Sequence, residues 1–180
     1  ALAISEHPDG EWASIGAAWE YQEPLDFATA AWELDGTGEE RPRRVAIALL
    51  WHQKTTAGFA QKVLKLARTY RVPVVYDGAS QSTAVEVEQL RRATPRPVLT
   101  LANTNDVRQG ATKVMNGLNL GTLVWFREQE GIANAAEVAI KRQIGGAGGF
   151  GFGRPKDDTH ADITPLEACS LALQYLGDAP

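Results

Sequence analysis

A mixed α/β sheet is predicted by three features of the sequence: two apolar segments joined by a turn at its start, a long alternation of strand-like and helix-like segments through its middle, and one strongly signalled helix near its end. The first two segments are residues 1–5, ALAIS, and 11–21, EWASIGAAWEY. The turn-forming His7-Pro8-Asp9-Gly10 lies between them, so a hairpin is expected. A third strand is expected over 45–51, VAIALLW, whose unbroken apolar character suits a strand covered on both faces, reached by the polar connection 36–44. Thr56 can cap the helix that follows, with Phe59, Ala60, Val63, Leu64 and Ala67 on one side. Lys62, Lys65 and Arg68 then occupy its solvated side.

The run Val72 to Tyr76 reads as a strand ending at Asp77-Gly78, after which Thr83 and Glu86 have the spacing of a capping box for a helix carrying Val87 and Leu90. A strand from Pro97, a helix capped by Asn105 through Val107, Ala111, Val114 and Met115, a short strand at 122–126 and a helix over 131–142 continue the alternation. The segment 145–158 is Gly-rich. Thr164-Pro165-Leu166-Glu167 is the clearest helix start: Thr164 as N-cap, Pro165 first in the helix and Glu167 the reciprocal partner. Leu166, Cys169, Leu173 and Leu176 form its apolar stripe, and Gly177 stops it.

With 180 residues, 44% hydrophobic and 22% charged, the chain fits a single globular domain, 1–180, and no apolar run reaches the roughly 18 residues a membrane helix needs. A chain that opens on an apolar strand without methionine is expected to be a domain excised from something longer. Cys169 is the only cysteine, which excludes an internal disulfide and any metal site built on paired cysteines, and suits a reducing cytoplasm. A net charge of -4 leaves nucleic-acid binding to local basic patches.

Chemistry is sought among the acids. Asp77 ends a strand, where side chains emerge into the crevices that open α/β sheets use as sites, although Asp-Gly is also an ordinary turn. Asp162 stands just ahead of a helix N-terminus, which favours a carboxylate for structural reasons too. Hydrolysis of a phosphodiester with two cations requires clustered carboxylates, because Mg²⁺ and Mn²⁺ prefer oxygen ligands. If the strand ending at Asp77 lies beside the first strand and the last helix packs across both, Asp77 and Asp162 converge near Ala3. Asp158 is the next candidate ligand, since its loop leads into Asp162, and Asp157 ranks below it. Glu86 is committed to its capping box, and Glu6 has the wrong strand parity to replace position 3. His160 could touch phosphate, while His52 is expected to be structural.

Gly146 to Gly151 matches GxGxxG in form but follows a helix and lacks a βαβ unit, so no dinucleotide site is expected. The same segment, flanked by Lys141, Arg142, Arg154 and Lys156, suits a loop or hairpin that contacts a DNA backbone. Trp12, Trp19, Trp32, Trp51 and Trp125 are assigned to the core, as is Cys169.

The phrases ALAIS…WASIGAAW, VPVVYDGAS and ADITPLEACSLAL resemble, in order and spacing, the nuclease domain of tailed-phage terminase large subunits, particularly those of actinobacteriophages. The resemblance spans nearly the whole chain. It implies a ribonuclease H-like fold, two Mg²⁺ or Mn²⁺ ions held by Asp77, Asp162 and a first-strand aspartate where this chain has Ala3, and endonucleolytic cutting of concatemeric double-stranded DNA in the cytoplasm of an infected host. It also implies an ATPase motor domain on the N-terminal side in the full-length protein, together with a small terminase subunit and a portal as partners. Alanine offers a cation no oxygen, so Ala3 is read as a silencing replacement, or as the mark of a relative working with fewer ligands. Two alternatives accompany this expectation: a nuclease of the Holliday-junction-resolvase type, and a catalytically silent module that binds DNA or docks a motor.

Overall fold

The computed structural model describes residues 1–21, 44–126, 128–145 and 148–177. Of the polar connection expected at 36–44 only Arg44 is among them, and Trp32, Gly146 and Ala147 lie outside the described residues.

Strands β1 (Leu2–Glu6) and β2 (Ala13–Tyr21) form the expected hairpin, and β3 (Arg44–Gln53) extends it into an antiparallel meander. Three more strands, β4 (Val74–Asp77), β5 (Leu99–Ala102) and β6 (Leu123–Trp125), complete a six-stranded sheet of order β5-β4-β1-β2-β3-β6. β4 runs parallel to β1, β5 to β4 and β6 to β3, so the sheet is mixed. Helices α1 (Phe59–Tyr70) and α2 (Ala84–Arg92) cover one face. Helices α3 (Thr104–Asn119), α4 (Glu130–Val138) and α5 (Thr164–Gln174) cover the other. No helix among the described residues is long and apolar enough to cross a membrane.

Strand parity sorts the side chains. Leu2, Ile4, Val74 and Tyr76 pack with Phe59, Val63, Val87 and Leu90 beneath α1 and α2. Ala3 and Val75 pack with Ile163, Leu166, Cys169 and Ala172 beneath α5. α5 is buried on nearly every side, because it lies between the sheet and α3. Two glycines permit this. A Cβ at Gly16 would stand 2.6 Å from the backbone of Ala168 and Cys169, and one at Gly110 would stand 2.6 Å from the carbonyl oxygen of Ser170. Cys169 is fully enclosed here, its thiol donating weakly to the Ala48 carbonyl at 3.6 Å, and burial pushes that thiol up to about 12.

Several local expectations change. The helix expected over 131–142 ends at Val138, where Ala139 is extended, and Ile140–Gln143 form β7, paired antiparallel with β8 (Phe150–Gly153) in a separate hairpin. α3 is capped by Asn103, not Asn105: the Asn103 side chain accepts from the amides of Asn105 and Asp106, and Asp106 accepts from the Asn103 amide. Thr56 contributes its carbonyl, not its hydroxyl, to the start of α1, whose N-cap is Gly58. Trp19 and Trp125 are exposed at the surface and not in the core.

The capping boxes read at Thr83/Glu86 and Thr164/Glu167 do not form. Glu86 instead meets Glu6 in the interior, beneath α2. Burial, reinforced by the Glu86 carboxyl beside it, pushes Glu6 up to about 8, so the pair retains a proton at neutral pH.

Two outcomes follow from this packing. Gly16→Ala should destabilise the domain by about 1–3 kcal/mol, because backbone on both sides of the new methyl must separate; an unchanged urea midpoint would refute the close approach. A carboxyl raised in the folded state stabilises fully below its unfolded value and loses that contribution as pH rises through the folded one. Between pH 5 and 8.5 the wild type should therefore lose a few kcal/mol relative to Glu6→Gln, read as a growing difference in Tm.

Candidate active site

The C-terminal ends of β1 and β4 lie side by side, with Ile4 opposite Tyr76 in register, and α5 crosses above them. Ser5 shares its face with Ala3, and Asp77 shares its face with Val75, so both project toward α5. They line one cleft together with Thr83, Arg142, Phe152 and Glu167.

Glu167 is in the cleft because of how α5 begins. Asp162, two residues before the first helical residue, accepts from both the amide and the hydroxyl of Thr164, at 3.0 and 2.7 Å. Asp162 thereby does the work expected of a Thr164–Glu167 box, and the Glu167 carboxylate turns to the sheet. There it accepts from the Ser5 hydroxyl at 2.8 Å and pairs with Arg154 at 3.7 Å. Enclosure raises its pKa, the Asp77 charge adds to that, and Arg154, Ser5 and Arg142 oppose it. Nε and Nη2 of Arg154 are buried without a hydrogen-bond partner, and Nη2 meets Glu167 only as a charge.

Asp77 accepts from the Ala79 amide at 2.8 Å, an Asx turn that fixes its carboxylate at the cleft rim. Ala3 has no exposed surface, being held between Gly16 and Val75. The first-strand position that reaches the cleft is therefore 5, not 3. Glu6 faces the opposite side of the sheet, as its parity requires.

Asp162 belongs to a second polar group along the same sheet face. Its other oxygen lies 3.4 Å from Nε2 of His52, whose Nδ1 is 3.0 Å from the Ser14 hydroxyl, which in turn is 2.7 Å from the Thr164 hydroxyl. Burial lowers the His52 pKa and Asp162 opposes this, while Trp12 stacks flat on the ring at 5.0 Å. The order Ser–His–Asp has the look of a nucleophilic triad, but Ser14 is completely buried and out of reach of any substrate. The network holds the start of α5 to β2 and β3.

Asp157, Asp158 and His160 are exposed in the loop before α5. That loop is pinned to the β1–β2 turn by His7, 3.1 Å from the Thr159 carbonyl, and by His160, 3.6 Å from Asp9. Lys156 is exposed in the same loop. Lys141 lies over the Phe150 ring at 5.0 Å on the β7–β8 hairpin, while Arg142 lines the cleft itself.

The structure thus brings Asp77 to Glu167, a residue whose spacing from Thr164 predicts a cap. Among the described residues no three His, Cys, Asp or Glu side chains are grouped to hold a metal ion. Asp162 is engaged with Thr164 and His52, and Glu167 faces Arg154, so the side chains as arranged do not fit a two-ion centre.

Position 3 and position 5 should respond differently to a carboxylate. Ala3→Asp buries a charge with no partner and is expected to cost about 3–5 kcal/mol, whereas Ser5→Asp opens to the cleft and should cost under about 2 kcal/mol. Equal losses in urea unfolding would contradict this placement.

No family model, curated protein or solved structure matches the chain.

Proposed function

We propose that the chain is the nuclease domain of a terminase large subunit, with a ribonuclease H-like fold, acting on double-stranded DNA through an acidic centre that is incomplete as it stands. One observation carries the reading: Ser5, Asp77 and Glu167, from three distant segments, line a single cleft at the C-terminal ends of adjacent parallel strands together with the cationic Arg142, while Arg154 pairs with Glu167 behind it. That is where open α/β sheets place their sites, and the Arg142 guanidinium suits a phosphodiester. The strand order, with the antiparallel meander at the centre and parallel strands outside it, supports the fold assignment.

The residues in place account for binding more readily than for cleavage. Arg142 is the cation placed to hold a phosphate, and Asp77 is the carboxylate left to orient or deprotonate a water. Ser5 supplies a hydroxyl where a third carboxylate would complete the group. No step through a metal follows from this arrangement. A reading as a DNA-binding module without cleavage is favoured by the Glu167–Arg154 pair, which neutralises one of the two acids.

Plasmid nicking in Mg²⁺ and in Mn²⁺ tests the proposal with the wild type, Ser5→Asp, and Ser5→Asp combined with Asp77→Ala. Ser5→Asp should cut at least about tenfold faster than the wild type, some 1.4 kcal/mol in barrier, and loss of Asp77 should abolish the gain. A wild type that cuts as fast as Ser5→Asp would refute the incomplete centre. Absence of both cutting and DNA binding in all three would refute the nuclease reading.

A further inference from the structure

The cleft is not the most cationic part of this acidic chain. α1 and its C-cap carry Lys62, Lys65, Arg68 and Arg71 with no acidic residue among them, and α2 with the loop after it adds Arg91, Arg92 and Arg96. The two helices pack side by side on the sheet face away from α5, under which Leu2 and Ile4 lie. A hydrogen bond of 2.9 Å from Arg68 to the Pro95 carbonyl draws the 93–96 loop, and with it Arg96, to the end of α1. Lys62 is half-exposed, and Lys65, Arg68, Arg71, Arg91, Arg92 and Arg96 are exposed.

Local acids do little to neutralise them. Glu86 is buried against Glu6, and Glu88 serves Arg91 and Arg92 at 3.7 and 3.0 Å. Among the described residues Lys62, Lys65, Arg71 and Arg96 have no ion-pair partner. Lys62, Lys65 and Arg68 recur every third residue, a line of charge about 9 Å long at the helical rise of ~1.5 Å per residue. Stripes of this kind match the regularly spaced phosphates of a nucleic-acid strand, and Tyr70, more than half exposed, stands at the end of the line.

From this geometry we infer that the α1–α2 face is a second contact surface for the backbone of duplex DNA, on the side of the sheet opposite the cleft. The choice of duplex DNA among polyanions rests on the nuclease reading; the existence of the cationic face does not. A duplex gripped at both faces spans more than the cleft alone can reach, and the outer contact is independent of sequence.

The test uses this chain and a labelled 30-base-pair duplex of mixed sequence, without divalent cations, with affinity measured by fluorescence anisotropy across a series of KCl concentrations. Lys62→Ala with Lys65→Ala should reduce the slope of log affinity against log salt by about 2, and Lys62→Arg with Lys65→Arg should keep it. Lys141→Ala with Arg142→Ala, on the hairpin and cleft, should lower the slope separately. If the α1 pair leaves the slope unchanged and only the hairpin pair lowers it, the second surface is refuted and the nuclease reading stands. If the wild type binds no duplex, both fail. If the α1 alanine pair weakens binding to poly-glutamate but not to DNA, the face docks an acidic protein instead, and the inference is overturned.

Discussion

The backbone of α5 touches the backbone of β2 at Gly16 and of α3 at Gly110, and the rest of the molecule is arranged around that double contact. A helix so enclosed has almost no solvated face, which is why apolar or small residues occupy nearly all of it. Glu167 is the one charged residue in α5, and it emerges where the helix overhangs the ends of β1 and β4. The location of the cleft is therefore a consequence of how closely a helix can approach a sheet. Side chains larger than hydrogen at either glycine would lift α5 and move Glu167 away from Ser5.

Much of the architecture was legible before the structure. Alternating apolar patterns and turn residues anticipated the meander and the alternation that follows it, because both patterns are set by local geometry and burial. The pairing of the Asp77 strand with the first strand, beneath the last helix, entered only as a condition, which the structure meets, although Asp162 goes to Thr164 and His52 and not to Asp77. Parity alone turned Glu6 away from the cleft.

What escaped the sequence reading depended on register and on competition between equivalent donors and acceptors. Positions 3 and 5 share a face, and only the pairing of Ser5 with Ser14 and of Ile4 with Tyr76 fixes which of them reaches the end of the sheet. Thr164 and Glu167 have the spacing of a capping box, yet it is Asp162 that accepts from the Thr164 amide. Glu167 was thus free for a distant partner, Ser5, which no local pattern announces. A helix start offering two acids to one set of amides is a signal that one of them has another task. The β7–β8 hairpin was hidden similarly, since a run of residues compatible with helix was ended by extension at Ala139.

The state of Cys169 has a practical consequence. It is the chain's single thiol, sealed beneath α5 and held in its protonated form well above neutral pH. Maleimides and mild oxidants react with thiolates they can reach, so this residue is silent toward both while the domain is folded. One cysteine introduced at the surface can then be labelled alone, with the native residue left in place. Slow modification of the wild type, followed over time, becomes a chemical clock for the opening of the α5 interface.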